Sequence, residues 1–276
     1  MTLRPLIFTD LDGTLLDHYS YSFEPARPQL ERLQQRQIPV IPATSKTRAE
    51  LLPLRQQLQL QTPFMVENGA AVFIPDEYAL PATELVTLDG FRVKEFVDPR
   101  QHWSRLVDEL PPFLQEHFTT FSRLGVTGVA ELTGLGAKSA ALACQRQYGE
   151  PVHWSGDDAL KTQFIAEVEQ RGGRALQGGR FIHISGHCSK AAAMNWLANC
   201  YRQQGEQVVT IAAGDSENDR EMLEQADIAL VIPSPVHAPL ELGRSGETVV
   251  ARQPGPQGWA TEIELIVESI TSATLK

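Results

Sequence analysis

A short apolar run, Leu6-Ile7-Phe8-Thr9, ends directly on Asp10-Leu11-Asp12-Gly13. An apolar stretch of that length, closed by a turn signal, reads as a strand buried on both faces. The chain then alternates. Pro28 to Gln37 reads as a helix with Leu30 and Leu33 on one face, and Ile38-Pro39-Val40-Ile41 as a strand closed by Pro42-Ala43-Thr44-Ser45. Arg48 to Leu60 follows as a helix, and Phe64-Met65-Val66 as a strand that stops at Glu67-Asn68-Gly69. The far end repeats the order: helix Ala191 to Gln203, strand Val208 to Ala212, helix Glu217 to Gln225, strand Ile228 to Ile232. Alternation of this kind predicts an α/β fold with a doubly wound, Rossmann-like parallel core sheet.

The middle has a different texture. From about Leu85 to Gly179, Trp103, Trp154, Pro111-Pro112 and several glycine turns mix with short strands and two helices, Gln101 to Leu110 and Ala137 to Tyr148. This predicts an α+β domain at 85–179 inserted into a discontinuous core of 1–84 and 180–276.

Charge narrows the partners. The 24 Lys and Arg against 34 Asp and Glu leave a net charge of -10, which argues against nucleic acid or an anionic membrane. A small phosphorylated substrate remains compatible, since one phosphate needs only local cations, backbone N–H groups and a metal. Cys144, Cys188 and Cys200 are odd in number and lack metal-ligand spacing, which fits a reducing compartment. No charged segment leads into an apolar signal-like run, and no apolar run nears the roughly 18 residues of a membrane span. A soluble cytoplasmic protein, a monomer or weak homo-oligomer, is the expectation.

Doubly wound sheets bind ligands at the carboxyl ends of their strands. Successive strand ends here carry Asp10 and Asp12, Thr44 and Ser45, and Asp215 and Asp219. Two carboxylates two residues apart at the end of a buried strand repel each other unless a cation lies between them. Carboxylate and carbonyl oxygens are hard ligands, which suits Mg²⁺. Gly13 permits the sharp turn that aims backbone N–H groups at a phosphate, although Asp-Gly is also an ordinary solvated turn. In Gly214-Asp215-Ser216-Glu217-Asn218-Asp219 the outer aspartates stand about one helical turn apart and can face the same cation. An acidic helix start is the plainer alternative.

Together the two segments resemble the haloacid-dehalogenase-type phosphatase superfamily, whose first motif is Asp-x-Asp-Gly-Thr and whose fourth is Gly-Asp-x-x-x-Asp. The resemblance assigns a second motif to Thr44 or Ser45 and the third-motif lysine to Lys190. Ala191 follows that lysine where members with this cap type usually carry Gly, and Lys138 and Lys161 are the alternatives, both inside the inserted domain. An α+β insertion between motifs two and three resembles the Cof-like branch with a C2B cap. Within it, Asp10 to Asp17, Ser45-Lys46-Thr47, Glu67-Asn68-Gly69-Ala70, Glu131-Leu132-Thr133-Gly134-Leu135 and Gln177-Gly178-Gly179-Arg180-Phe181 look like the mannosyl-3-phosphoglycerate phosphatases. That likeness covers nearly the whole chain.

The resemblance implies a chemistry. Asp10 attacks phosphorus, and Asp12 protonates the leaving alkoxide and later activates water. Asp10, Asp12 and Asp215 hold Mg²⁺, with Asp219 holding a metal-bound water. Thr44 or Ser45, Lys190 and Asn218 serve the phosphate oxygens. The implied substrate is a sugar-glycerate phosphate and the product mannosylglycerate, a compatible solute, with glucosyl-3-phosphoglycerate or another sugar phosphate as alternatives. A non-catalytic phospholigand-binding protein is the reading from another class, against which the intact Asp10, Asp12, Lys190, Asp215 and Asp219 speak. A cap must choose among these, and Glu131, Thr133, Gly134 and Arg180 are the candidates for substrate contact. Each also fits a structural role: Thr133-Gly134 a turn, Arg180 a surface salt bridge. His183 and His187 read as packed or surface histidines, and Trp103 and Trp154 as cap core.

Overall fold

The computed structural model describes residues 3–178, 180–236, 238 and 240–274. Gly179, the expected last residue of the inserted domain, lies outside them. The chain opens with Leu3–Thr9 (β1), Arg27–Gln35 (α1), Val40–Pro42 (β2), Arg48–Gln57 (α2), Phe64–Val66 (β3), Ala71–Pro75 (β4), Val86–Leu88 (β5) and Phe91–Glu95 (β6). Then come Arg100–Asp108 (α3), Pro112–Gln115 (α4), Phe118–Thr120 (β7), Phe121–Thr133 (α5), Ala137–Ala143 (α6), Glu150–Trp154 (β8), Asp158–Gln170 (α7), Arg174–Gly178 (β9) and Phe181–Ser185 (β10). Lys190–Arg202 (α8), Gln207–Gly214 (β11), Arg220–Gln225 (α9), Ile228–Val231 (β12), Glu247–Val250 (β13) and Gly255–Thr274 (α10) complete it.

Two compact units divide the chain: Met1–Thr44, Arg55–Lys94 and Ser189–Lys276 form the larger, Ser45–Leu54 and Glu95–Cys188 the smaller. These limits differ from 84/85 and 179/180 for reasons of strand pairing. β6 pairs with β5 and adjoins β4, which keeps 85–94 with the larger unit. β10 lies between β8 and β9, which keeps 181–185 with the smaller. The Thr47 hydroxyl also donates to Leu142 O at 3.0 Å, and Arg146 donates to Ser45 O at 3.1 Å, tying the second-motif segment to the smaller unit.

The larger unit is built on a parallel sheet in the order β13-β12-β11-β1-β2. β1 is an interior strand, flanked by β11 and β2, which is why Leu6, Ile7 and Phe8 are fully buried and the strand reads as a continuous apolar run. α10 packs on β1, and α8 and α9 on β11. A second, antiparallel pattern was not anticipated. β3 touches the parallel sheet through one bridge, Ala43 to Met65, and then pairs antiparallel with β4 in the sheet β3-β4-β6-β5.

The smaller unit folds around its own antiparallel sheet, β7-β8-β10-β9. Trp103, Leu106 and Val107 of α3 and Phe164 and Val168 of α7 bury against Phe118, Val152 and Ile182 of that sheet. Where sequence periodicity suggests two helices, this unit has α3 to α7 among the described residues. α5 is not legible as a helix in the sequence because Gly125, with φ 61 and ψ -175, breaks its periodicity. No helix among the described residues is long and apolar enough to cross a membrane.

Candidate active site

Parallel pairing in register creates the site. Thr9 stands beside Ala213 on one side and Pro42 on the other, so Asp10, Thr44 and Asp215 leave the sheet along one edge. Asp10 N donates to Ala213 O at 2.9 Å, which anchors the residue as the chain exits the strand. The turn after it closes through Gly13 N to Leu16 O and Leu16 N to Leu11 O, with Gly13 at φ +86. A side chain there is doubly excluded: a Cβ would lie 2.5 Å from Asp215 Oδ2 and would meet a left-handed backbone.

At the end of β11, Asp215 and Asp219 are both buried. Asp219 Oδ2 accepts from the N–H groups of Asp215 and Ser216 at 3.2 Å each, and from Ser216 Oγ at 3.3 Å. This is the capping device that the acidic helix start suggested. The other oxygen of Asp219 turns toward Lys190, the first residue of α8, whose N-cap Ser189 accepts from Ala192 N. Lys190 is buried completely, and its Nζ donates to Asp10 Oδ1 and to Asp219 Oδ1, both at 2.6 Å. Ala191, at the position of the family's usual glycine, is buried without displacing that lysine.

Charge is unbalanced here. Asp10, Asp215 and Asp219 bring oxygens within 4.8 Å of one another around a single ammonium. Burial drives the Asp10 carboxyl well above its ordinary value; Lys190 opposes this, and Asp219 and Asp215 reinforce it. Burial alone would depress Lys190, but Asp10 and Asp219 outweigh it and hold the ammonium above its ordinary value. Three converging hard-oxygen donors with more negative charge than one lysine can offset fit a divalent cation, whose charge would favour the ionised carboxylate of Asp10. Asp12 is half-buried two residues along and does not join that triad.

The remaining predicted residues fall in several places. Thr44 is buried at the edge of the parallel sheet, and its carbonyl accepts from Asn68 N at 2.9 Å. Ser45 begins the first segment of the smaller unit. Asn218 is half-buried; its Oδ1 accepts from Ser216 Oγ at 2.6 Å and its Nδ2 donates to Asn68 Oδ1 at 3.1 Å. In the smaller unit, Glu131 is exposed on α5, Gly134 caps that helix at φ 78, and the Thr133 hydroxyl donates to Val129 O. Arg180 donates to Leu132 O at 2.7 Å and Thr133 O at 3.0 Å. Its partners are therefore helix-end carbonyls and not a carboxylate.

One contributor is marked in the sequence only as a strand end and a subfamily likeness, with no role at the site. Glu67, Asn68 and Gly69 are consecutive left-handed residues at φ 49, 61 and 84. Such a run costs about 1 kcal/mol or more at each non-glycine position and persists only where surroundings enforce it. Here the enforcement is contact: a Cβ on Gly69 would lie 2.3 Å from Ser189 O and 2.8 Å from Lys190 N. The turn thus seats the start of α8, and Asn68 ties it to both Thr44 and Asn218. The Asn-Gly pair was the available signal, since Asn and Gly are the residues that tolerate this backbone.

Comparisons with known proteins give the chain's relatives. A family model described as haloacid dehalogenase-like hydrolase matches residues 7–98 and 158–233. A glucosyl-3-phosphoglycerate/mannosyl-3-phosphoglycerate phosphatase of Methanococcoides burtonii is 36% identical over 268 residues, covering 95% of this chain and 96% of that protein. Among solved structures, Thermoplasma acidophilum 0175 superposes with a TM-score of 0.67 at 16% identity, covering 96% of this chain and 98% of that one. A phosphatase of the haloalkanoate enzyme superfamily from Bacteroides thetaiotaomicron gives 0.66 at 16% identity, covering 98% and 96%. At such identities the structural likeness speaks for the fold.

Proposed function

This chain belongs to the haloacid dehalogenase-like hydrolase family, and we propose that it hydrolyses the phosphate monoester of a hexosyl-3-phosphoglycerate, releasing mannosylglycerate or its glucosyl counterpart. The observation that carries the chemistry is the buried Asp10–Lys190–Asp219 bridge with Asp215 beside it. The sugar-glycerate substrate is supported by likeness along nearly the whole chain to an enzyme named for both hexoses.

The steps follow from the side chains. Asp10 Oδ attacks phosphorus, the ester P–O bond breaks, and Asp12 gives its proton to the departing alkoxide. Water then attacks the aspartyl-phosphate, Asp12 takes back a proton, and inorganic phosphate leaves with Asp10 regenerated. Lys190 keeps its charge through both steps, and its ammonium offsets charge on the equatorial phosphoryl oxygens. Thr44 or Ser45 and Asn218 supply further donors. Asp10, the Asp12 carbonyl and Asp215 would hold Mg²⁺, with Asp219 acting through a bound water; when bound, the ion neutralises carboxylate–phosphate repulsion and polarises the phosphoryl oxygens. For the smaller unit, Glu131, Thr133, Gly134 and Arg180 are assigned to the sugar and glycerate. Arg180 and the α5 end already form one patch, and a charge-assisted pair with the glycerate carboxylate suits its guanidinium.

The test is phosphate release from mannosyl-3-phosphoglycerate, glucosyl-3-phosphoglycerate, mannose 6-phosphate and glucose 6-phosphate. Expected is a kcat/KM at least about 10-fold higher for the two glycerates, abolished by EDTA and restored by Mg²⁺ but not Ca²⁺. Equal turnover of the simple sugar phosphates would refute the glycerate assignment. Full activity after exhaustive chelation would remove the metal role.

A further inference from the structure

The larger unit holds a cleft of about 790 Å³ away from the aspartates. Its walls include Arg4 and Val40, the second residue of β1 and the first of β2, whereas Asp10 and Thr44 follow the opposite ends of those strands. At about 3.3 Å per residue, Arg4 and Asp10 stand about 20 Å apart. The volume is that of a small-molecule site.

Arg55, near the end of α2, lines this cleft and is only 7% exposed. Its Nη2 donates to Thr62 O at 2.6 Å, and its plane lies over the Phe64 ring, 4.3 Å from the centroid. Nε is buried with no hydrogen-bond partner, and among the described residues no carboxylate pairs with the guanidinium. The neighbouring cation Arg4 differs, being neutralised by Glu206. Glu77 also lines the cleft but is exposed and forms no ion pair with Arg55. A buried guanidinium without a counterion is costly, and the cost recurs in its acidity: burial pulls Arg55 down to about 10. Besides Arg4 and Glu77, the cleft offers the amides of Gln59, Gln61 and Gln204 and the side chain of Tyr78 among apolar residues such as Leu58 and Phe91.

We propose that this cleft is a second ligand site, in which the Arg55 guanidinium receives the carboxylate of a small hydroxylated acid and the glutamine and tyrosine side chains meet its hydroxyls. The carboxylate supplies the missing counterion, and the planar fork of arginine matches it. The glutamine amides suit a hydroxylated body, and the exposed Glu77 disfavours a second anionic group. This site is independent of the catalytic reading and would stand if the substrate proved different.

D-Glycerate, at ionic strength matched with NaCl, is the probe. Binding to the folded state raises the thermal midpoint with concentration, and a rise of about 3 °C or more is expected near saturation. Arg55→Met, close in volume but uncharged, should lose that rise, and Arg55→Lys should keep a weaker one. In ¹⁵N-labelled wild-type protein the Arg55 Nε–Hε resonance should move along the same titration. A rise equal in wild type and Arg55→Met would place glycerate elsewhere, including the catalytic centre, and overturn the proposal. If Arg55→Met does not fold, the wild-type resonance decides, and its failure to shift overturns the proposal.

Discussion

Each unit buries a carboxylate, Glu150 in the smaller and Asp10 in the larger, and the two are treated oppositely. In the smaller, Glu150 is fully saturated: Arg100 Nε at 2.7 Å and Nη2 at 3.1 Å, Ser104 Oγ at 2.8 Å, and Ser122 N and Oγ at 3.0 and 2.7 Å. Burial works against its ionised form, but those partners prevail and its pKa falls below the ordinary carboxylate value. In the larger, Asp10 shares one lysine with Asp219 while Asp215 crowds it, and its pKa rises. A structural carboxylate is given every partner it can use. A reactive one is left short of positive charge, and that deficit is what draws a cation and a phosphoryl group.

The comparison can be broken at either end. The largest effect should come from Asp10→Asn, with phosphate release falling at least about 1,000-fold because an amide neither attacks phosphorus nor carries charge to a cation. The same change removes one negative charge from an overcrowded cluster, so the thermal midpoint should stay level or rise. Near wild-type release from this variant would end the nucleophile assignment.

Glu150→Ala should do the reverse. It leaves the half-buried Arg100 without its carboxylate and the N–H and hydroxyl of Ser122 without their acceptor, and a cost of about 3 kcal/mol in urea denaturation is expected. Specific activity of the folded fraction should change little. If stability held and activity collapsed, the saturated carboxylate would belong to function after all.

A smaller effect sharpens how the catalytic cluster is held. Asn68→Ala removes the tie to Asn218 and should lower kcat about 10-fold, or about 1.4 kcal/mol, with little change in KM. Asn68→Gly separates the causes, since glycine accepts φ 61 without strain yet cannot make the hydrogen bond. Activity restored in Asn68→Gly would mean the backbone alone matters.

The residue pattern was informative wherever the structure depends on near neighbours. Leu6–Thr9, Val208–Ala212 and Ile228–Ile232 announce strands by apolar runs, and β1, β11 and β12 occupy those positions. The same logic fails where a local signal is interrupted or shared. Pro39 within Ile38–Ile41 delays the second strand to Val40–Pro42. Residues 137–148 carry helical composition, but the helix ends at Ala143, after which Arg100 takes the carbonyls of Cys144 and Gln147. α10, the longest helix, was not anticipated, because its buried face is defined by α1 and β1.

By itself the sequence determined the parallel α/β core, the acidic strand ends and the residue types that suit Mg²⁺ and phosphate, because strand runs, turn glycines and hard-oxygen donors are properties of adjacent residues. Only the tertiary structure decided that Lys190 bridges Asp10 and Asp219, a contact across 180 residues of chain. It also decided that the left-handed turn at Glu67–Gly69 seats that lysine's helix, that 181–185 belong to the smaller unit, and that Arg55 is buried with no carboxylate partner among the described residues. Those are facts of burial and pairing between distant segments. Their energies come from excluding water around groups that the chain itself keeps far apart.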